Sequence, residues 1–318
     1  MKFKYILLIN LFLVFGFHVA YGQWDAQISQ YWRLKNFYNP AFIGETNNIE
    51  SAMLHRRQWV GITRAPVTSV VSLNMPVNFL GKDHGVGGLI TNETIGLFSN
   101  TYMMGQYTYK LKFKNNKFLH IAIQGGLMNI DFDAAGIHIP SSEYHTDKNS
   151  DPAIPTAGGS KKVDMGFGAA WITPDYYVGL SASHLWEPIF ELNDETSSYV
   201  PRTYYLMGGY NIRLNNPLIE LQPSAFFKSD AVAYQLDVTA KVEYNKMFNG
   251  GISWRKGEGF VFLLGVKLKN IDAGYSYDLT TNSALSLVSD GSHELFVRYS
   301  IPIQKKRNPG ASKSIRIL

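Results

Sequence analysis

From about residue 50 to residue 302 the chain alternates apolar and polar residues with a period of two, and little else repeats along it. That pattern belongs to strands with two unlike faces, because successive side chains of a strand point to opposite sides. In one run Val232, Tyr234, Leu236, Val238, Ala240, Val242 and Tyr244 share a face, opposed by Ala233, Gln235, Asp237, Thr239, Lys241 and Glu243. Residues 105–113, 271–279 and 294–301 repeat the scheme. No comparable helical period follows the first 22 residues. The segments predict about fourteen strands of about ten residues each, the length a tilted strand needs to cross a bilayer. They fall at 50–60, 66–77, 84–93, 99–113, 117–130, 163–173, 175–186, 202–214, 218–229, 232–244, 246–256, 259–269, 270–281 and 291–302.

The connections separate a membrane barrel from a soluble sandwich. Every second one is a tight turn, as at Lys114-Asn115-Asn116, Thr173-Pro174-Asp175, Asn215-Asn216-Pro217, Asn245-Lys246 and Asn270. The others are mostly long and polar, notably 131–162, 187–201 and 281–291. Short turns at one end and long loops at the other are the layout of an outer-membrane barrel. Composition agrees: only 17% of residues are charged while 14% are aromatic, and one face of each strand is almost free of charge. Trp59, Trp171, Trp186, Tyr204, Tyr244, Trp254 and Tyr299 fall near strand ends, where interfacial girdles form. The fold class expected is all-β, a transmembrane outer-membrane β-barrel of about fourteen antiparallel strands with an N-terminal periplasmic or lumenal segment.

The domain plan follows from the two ends. Residues 1–22 carry Lys2 and Lys4 ahead of an apolar run, then Ala20-Tyr21-Gly22, and read as a Sec signal peptide cleaved before Gln23. Residues 23–48 are neither leader nor strand; Tyr31, Trp32, Phe37 and Tyr38 are too many aromatics for a free linker, so this segment is expected to pack as a small plug in the periplasmic mouth or to bind a partner there. Residues 49–302 form the barrel and 303–318 a basic C-terminal periplasmic tail. The formal charge of +5 is an effect of the ends: without Lys2, Lys4, Lys305, Lys306, Arg307, Lys313 and Arg316 the body is near −2. The charge is therefore no footprint of nucleic-acid binding.

Chemistry-bearing motifs are sparse. The absence of cysteine excludes disulfides, thiolate metal sites, thiol nucleophiles and a lipid-anchored N-terminus. Gly179-Leu180-Ser181-Ala182-Ser183 fails as a nucleophile elbow, and Gly158-Gly159-Ser160-Lys161 fails as a phosphate loop. Gly85-x-Gly87-Gly88 and Gly166-x-Gly168 are strand glycines, marking barrel bends or close side-chain packing. The acidic stretch with Asp131, Asp133, His138, Glu143, His145, Asp147 and Asp151 lacks diagnostic ligand spacing and reads as a polar loop. No metal, cofactor or catalytic residue is expected. In His55-Arg56-Arg57-Gln58-Trp59 alternation puts the two arginines on opposite faces, with a lumenal one expected to pair with Asp237 or Glu243, or an anion or partner contact as the other reading.

The motifs QISQYWRLKNFYNPAFIG at 27–44, HRRQWVGITRAPVTSVVSLNMP at 55–76, GVGGLITNETIGLFSNTYMMGQYTYKL at 85–111 and GYSYDLTTNSALSLVSDGSHELFVRYS at 274–300 resemble, in order, the PorP/SprF family of the Bacteroidetes type IX secretion and gliding apparatus. The resemblance implies a non-enzymatic role in the export or surface anchoring of cargo such as adhesins. It implies as partners the outer-membrane lipid, periplasmic ring components and the C-terminal domains of cargo. Gln27, Ser29, Tyr31, Asn39, Pro40, Phe42 and Gly44, with Arg57 and Trp59, are then expected to shape a periplasmic plug and the barrel entrance. Two other classes stay open: a channel for small or hydrophobic solutes, and a barrel enzyme.

Overall fold

The computed structural model describes residues 25–133, 158–191, 197–281 and 284–303. The leader, the 304–318 tail and the stretch holding His138, Glu143, His145, Asp147 and Asp151 lie outside the described residues.

Fourteen antiparallel strands close into a barrel. They are β1 (Asn48–Arg57), β2 (Val67–Phe79), β3 (Lys82–Ile95), β4 (Phe98–Lys112), β5 (Phe118–Phe132), β6 (Gly158–Ile172) and β7 (Tyr176–Ser183). The second half contributes β8 (Thr203–Tyr210), β9 (Ile219–Ser229), β10 (Tyr234–Tyr244), β11 (Phe248–Arg255), β12 (Gly259–Leu268), β13 (Ile271–Thr280) and β14 (Ser292–Pro302). Each strand pairs with its sequence neighbours, and β1 closes on β14 with Asn48 opposite Pro302 and Arg57 opposite His293. Closure removes every sheet edge, the condition lipid imposes on a spanning sheet. No described helix is long and apolar enough to cross a membrane.

The alternation places all fourteen strands, and the differences lie at their ends. β6 starts five residues before the predicted 163, because Gly158 to Lys162 pair with Phe132 to Met128 of β5 although they carry no apolar alternation. β7 stops at Ser183, where His184 takes a left-handed φ of 56° and turns the chain inward. The long β7–β8 connection carries a small hairpin, Ile189–Glu191 paired with Ser197–Tyr199. Its Phe190, with Val200, packs on Leu89, Met104, Met128 and Ile130.

Polarity is inverted relative to a soluble sheet. On β10, Gln235, Asp237 and Thr239 are buried while Tyr234, Val238 and Val242 are exposed. Leu264 on β12 is 66% exposed, and its neighbour Leu263 only 4%. Apolar outside and polar inside suits a wall with lipid on its outer face. The turns at 114–116, 173–175, 215–217, 245–246 and 270 lie at the end that holds Asn48 and Pro302, the short-turn end; the three longest connections lie at the other, the loop end, together with short turns at 96–97, 230–233 and 256–258. Residues 25–47 run inside the barrel from the loop end to the short-turn end, where β1 begins.

Candidate functional site in the plugged lumen

Residues 25–47 have almost no regular structure, only one turn of helix α1 (Lys35–Tyr38) and a 3-10 turn at Pro40–Phe42. Inside a barrel such a segment cannot leave its peptide groups unpaired, since a buried amide or carbonyl without a partner is costly. The lumen wall supplies the partners that a helix or sheet would otherwise provide. The carbonyl of Asp25 accepts from Lys228 Nζ at 2.9 Å, that of Asn36 from Gln106 Nε2 at 2.8 Å, and that of Tyr38 from Ser181 Oγ at 2.7 Å. The carbonyls of Pro40, Ala41 and Gly44 accept from Thr108, His120 and Lys110. Every one of these donors sits at an inward position of its strand.

The densest cluster lies around Ser29. Its hydroxyl donates to Asp278 Oδ2 at 2.6 Å and accepts from Arg56 Nη1 at 2.9 Å and Arg255 Nη2 at 3.1 Å. The backbone amides of Ser29 and Gln30 both donate to the Glu294 carboxylate, at 2.8 and 2.9 Å. Arg56 also pairs with Asp278 at 2.8 Å, and Arg255 with Asp237 and Asp278 at 2.9 Å each. Two buried guanidiniums thus share three buried carboxylates, and the plug's hydroxyl and amides add hydrogen bonds to them, while Arg56 Nε and Asp278 Oδ1 keep no partner among the described residues. Gln27 extends the cluster toward the loop end, donating to Glu258 at 2.8 Å and accepting from Arg56 Nη2 at 2.9 Å.

Above it, the Asp25 carboxylate accepts from His184 Nε2 at 3.0 Å and from the Tyr205 hydroxyl. Burial alone would raise the Asp25 pKa, but the charge and hydrogen bond of His184, with Lys228 and Tyr205, hold it down to about 2. Below, aromatic packing takes over. Tyr31 stacks on Phe226 at 5.1 Å between centroids, and Tyr38 packs against Phe226 and Tyr205. Burial pushes the Tyr31 hydroxyl up to about 12 and raises that of Tyr38 as well. Tyr31 is nonetheless satisfied by Ser224 at 2.9 Å and Thr239 at 3.2 Å. The Tyr38 hydroxyl accepts from the Ile28 amide and donates to the Ala26 carbonyl, folding the segment back on itself.

The Asn39-Pro40-Ala41-Phe42 turn is keyed into the wall. Asn39 Oδ1 accepts from the Ala41 amide at 2.9 Å, and its Nδ2 donates to the carbonyls of Ala169 and Leu180 at 3.2 and 3.0 Å. Gly168 and Gly179 leave the room: a Cβ on Gly168 would overlap Asn39 Oδ1, and one on Gly179 would lie 2.8 Å from the Phe42 ring. Gly168 therefore serves close side-chain packing, as the sequence suggested. Gly44 ends the segment with a φ of 63°, its backbone against that of Met75 and Gly85.

Of the residues singled out from sequence, Gln27, Ser29, Tyr31, Asn39, Pro40, Phe42 and Gly44 all lie in the lumen, spread over its height instead of gathered at the short-turn mouth. Arg57 and Trp59 do not join them. Because β1 climbs away from the short-turn end, both finish at the loop end, where Arg57 is exposed and Trp59 lines a shallow cavity of about 280 Å³. The lumenal arginine is Arg56, and its partners are Asp278 and Glu294, not Asp237 or Glu243. β14 lies beside β1 and β13 beside β14, whereas Asp237, on β10, is three strands beyond β13 and pairs with Arg255. Sequence reasoning had no means of naming Arg255, Glu294, His184 or Asp25 as plug contacts. The available signal was charge at an inward position of an alternating strand.

A closed barrel with an apolar exterior, charges gathered in its lumen and at its rims, and that lumen occupied by the chain's own N-terminal segment is an outer-membrane β-barrel with a resident plug. Its sequence is matched over residues 20–299 by the family of type IX secretion system membrane proteins PorP/SprF. The chain belongs to that family. No curated protein sequence matches it significantly. Among solved structures it is similar to the outer-membrane protein Omp33 of Acinetobacter baumannii, with 7% identity, 80% of this chain and 98% of that one covered, and a TM-score of 0.43. It is also similar to a triple mutant of the Rhodopseudomonas blastica porin, with 8% identity, 80% and 99% coverage, and a TM-score of 0.33.

Proposed function

We propose that this type IX secretion component acts by binding proteins, assisting the export or surface anchoring of cargo such as adhesins, and not by conducting solutes or by catalysis. The observation that carries the reading is the plug. A covalently attached segment fills the lumen through hydrogen bonds to many strands, which leaves the two rims and the loops as the surfaces for contact. In an outer-membrane barrel the short-turn end faces the periplasm. The periplasmic ring components would meet that end, with the C-terminal domains of cargo as the second class of partner. A Sec leader over residues 1–22 would deliver the chain, and the basic 303–318 tail would leave from the same periplasmic end. The competing reading, a channel for small or hydrophobic solutes, requires residues 25–47 to be displaced.

The test is deletion of the gene followed by comparison of the secreted and surface proteomes. Selective loss of one or a few large surface proteins is the expected result. An unchanged proteome with impaired uptake of a small solute would overturn the proposal in favour of the channel.

A further inference from the structure

Beside the plug at the short-turn end, a half-open cavity of about 210 Å³ is lined by Trp32 and Lys35 of the plug and by Tyr177, Gln222, Ser224 and Lys241 of the wall. Three donors of that lining lack a hydrogen-bond or ion-pair partner among the described residues. Trp32 Nε1 and the Tyr177 hydroxyl are both buried and have no hydrogen-bond partner among the described residues. Lys241 makes no ion pair or hydrogen bond among those residues; its ammonium rests over the Trp32 ring at 5.5 Å. An indole N–H and an ammonium can only donate, so neither can be satisfied by turning.

The nearby acids make no hydrogen bond or close ion pair with these donors, although Glu243 and Asp272 act on the Lys241 ammonium at longer range. Glu45 also lines the cavity but is held by Lys35, which in turn lies over the Tyr177 ring at 4.4 Å. Asp272 is held by Arg33. Glu243, two residues beyond Lys241 on the same face, makes no ion pair with it.

We propose that this cavity is a binding site for a single carboxylate, supplied by the free C-terminus or an acidic side chain of an extended peptide. Two neutral donors and one ammonium match the charge of one carboxylate; a phosphate dianion would bring a second charge with no cation to meet it. The volume is below that of pockets that enclose drug-sized ligands and suits one carboxyl group with the carbons that carry it. The site rests on its own donors and not on the secretion reading, and it is assayed without secretion.

Purified full-length protein in detergent is titrated with three versions of one hexapeptide: a free C-terminus without acidic residues, the same peptide amidated, and the amidated peptide with one internal glutamate. At least one carboxylate-bearing peptide is expected to bind fivefold or more tightly than the neutral amide, and which one does so identifies the source. Tyr177→Phe, which removes only the hydroxyl, and Lys241→Gln should each abolish most of that preference. Tyr177→Phe carries the test alone if Lys241→Gln fails to fold. Equal binding of all three peptides, or an unchanged preference in Tyr177→Phe, overturns the proposal.

Discussion

Gly168→Ala separates plug from barrel, because the added methyl faces only the plug. A Cβ there would overlap Asn39 Oδ1 and lie 3.0 Å from Pro40 Cδ, while extended backbone at 168 tolerates alanine. Relief requires Asn39 to withdraw, breaking its bonds to the Ala41 amide and to the Ala169 and Leu180 carbonyls. Overpacking costs about 1–3 kcal/mol and a buried polar group left unpaired costs about 1–3 kcal/mol more. A total near 3 kcal/mol raises the open population of the plug about 100-fold, at about 1.4 kcal/mol per factor of ten. Hydrogen–deuterium exchange of peptides from residues 25–47 reads that population, since local opening sets the exchange rate. Gly105→Ala is the control: its Cβ would face outward with Gly125 O at 3.7 Å, an ordinary contact. Adding Asn39→Ala removes the overlap, so Gly168→Ala should cost little more in that background, a coupling expected of residues in contact. Equal plug exchange in Gly168→Ala and Gly105→Ala, with the barrel strands unaffected in both, would refute the reasoning.

Arg56→Met leaves the buried Glu294 carboxylate without a cation, while Asp278 keeps Arg255, and should destabilise the protein by about 3–5 kcal/mol in urea unfolding, with part recovered in the Arg56→Met/Glu294→Gln double variant. Asp25, held at about 2 against an ordinary 3.8, contributes stability that is present above pH 4 and lost as pH falls toward 2. The contribution is about 2 kcal/mol; plug exchange should rise over that window in the wild type, and Asp25→Asn should show no such rise. Leu264→Arg, on the exposed outer face of β12, should cost about 2–4 kcal/mol for folding into lipid vesicles. A cost near zero would mean that this face does not meet hydrocarbon.

The alternation of Tyr234 to Tyr244 and its counterparts determined the strands, their inward and outward faces and the barrel itself, because side-chain direction in a strand is a local property with a period of two. The four aromatics between Tyr31 and Tyr38 likewise marked residues 23–48 as packed chain. The partners were decided elsewhere. Whether Arg56 meets Asp237 or Asp278 depends on which strands lie beside β1 once the barrel closes, and that neighbour relation spans more than 200 residues of sequence. The height of the plug also escaped local reading: Gln27 reaches Glu258 at the loop end and Gly44 meets Lys110 near the short-turn end. An irregular segment has no period of its own, and its path is set by the lumenal groups that satisfy its backbone. The wall is thus a local property of the chain, and what it encloses is decided by contacts that exist only once the barrel has closed.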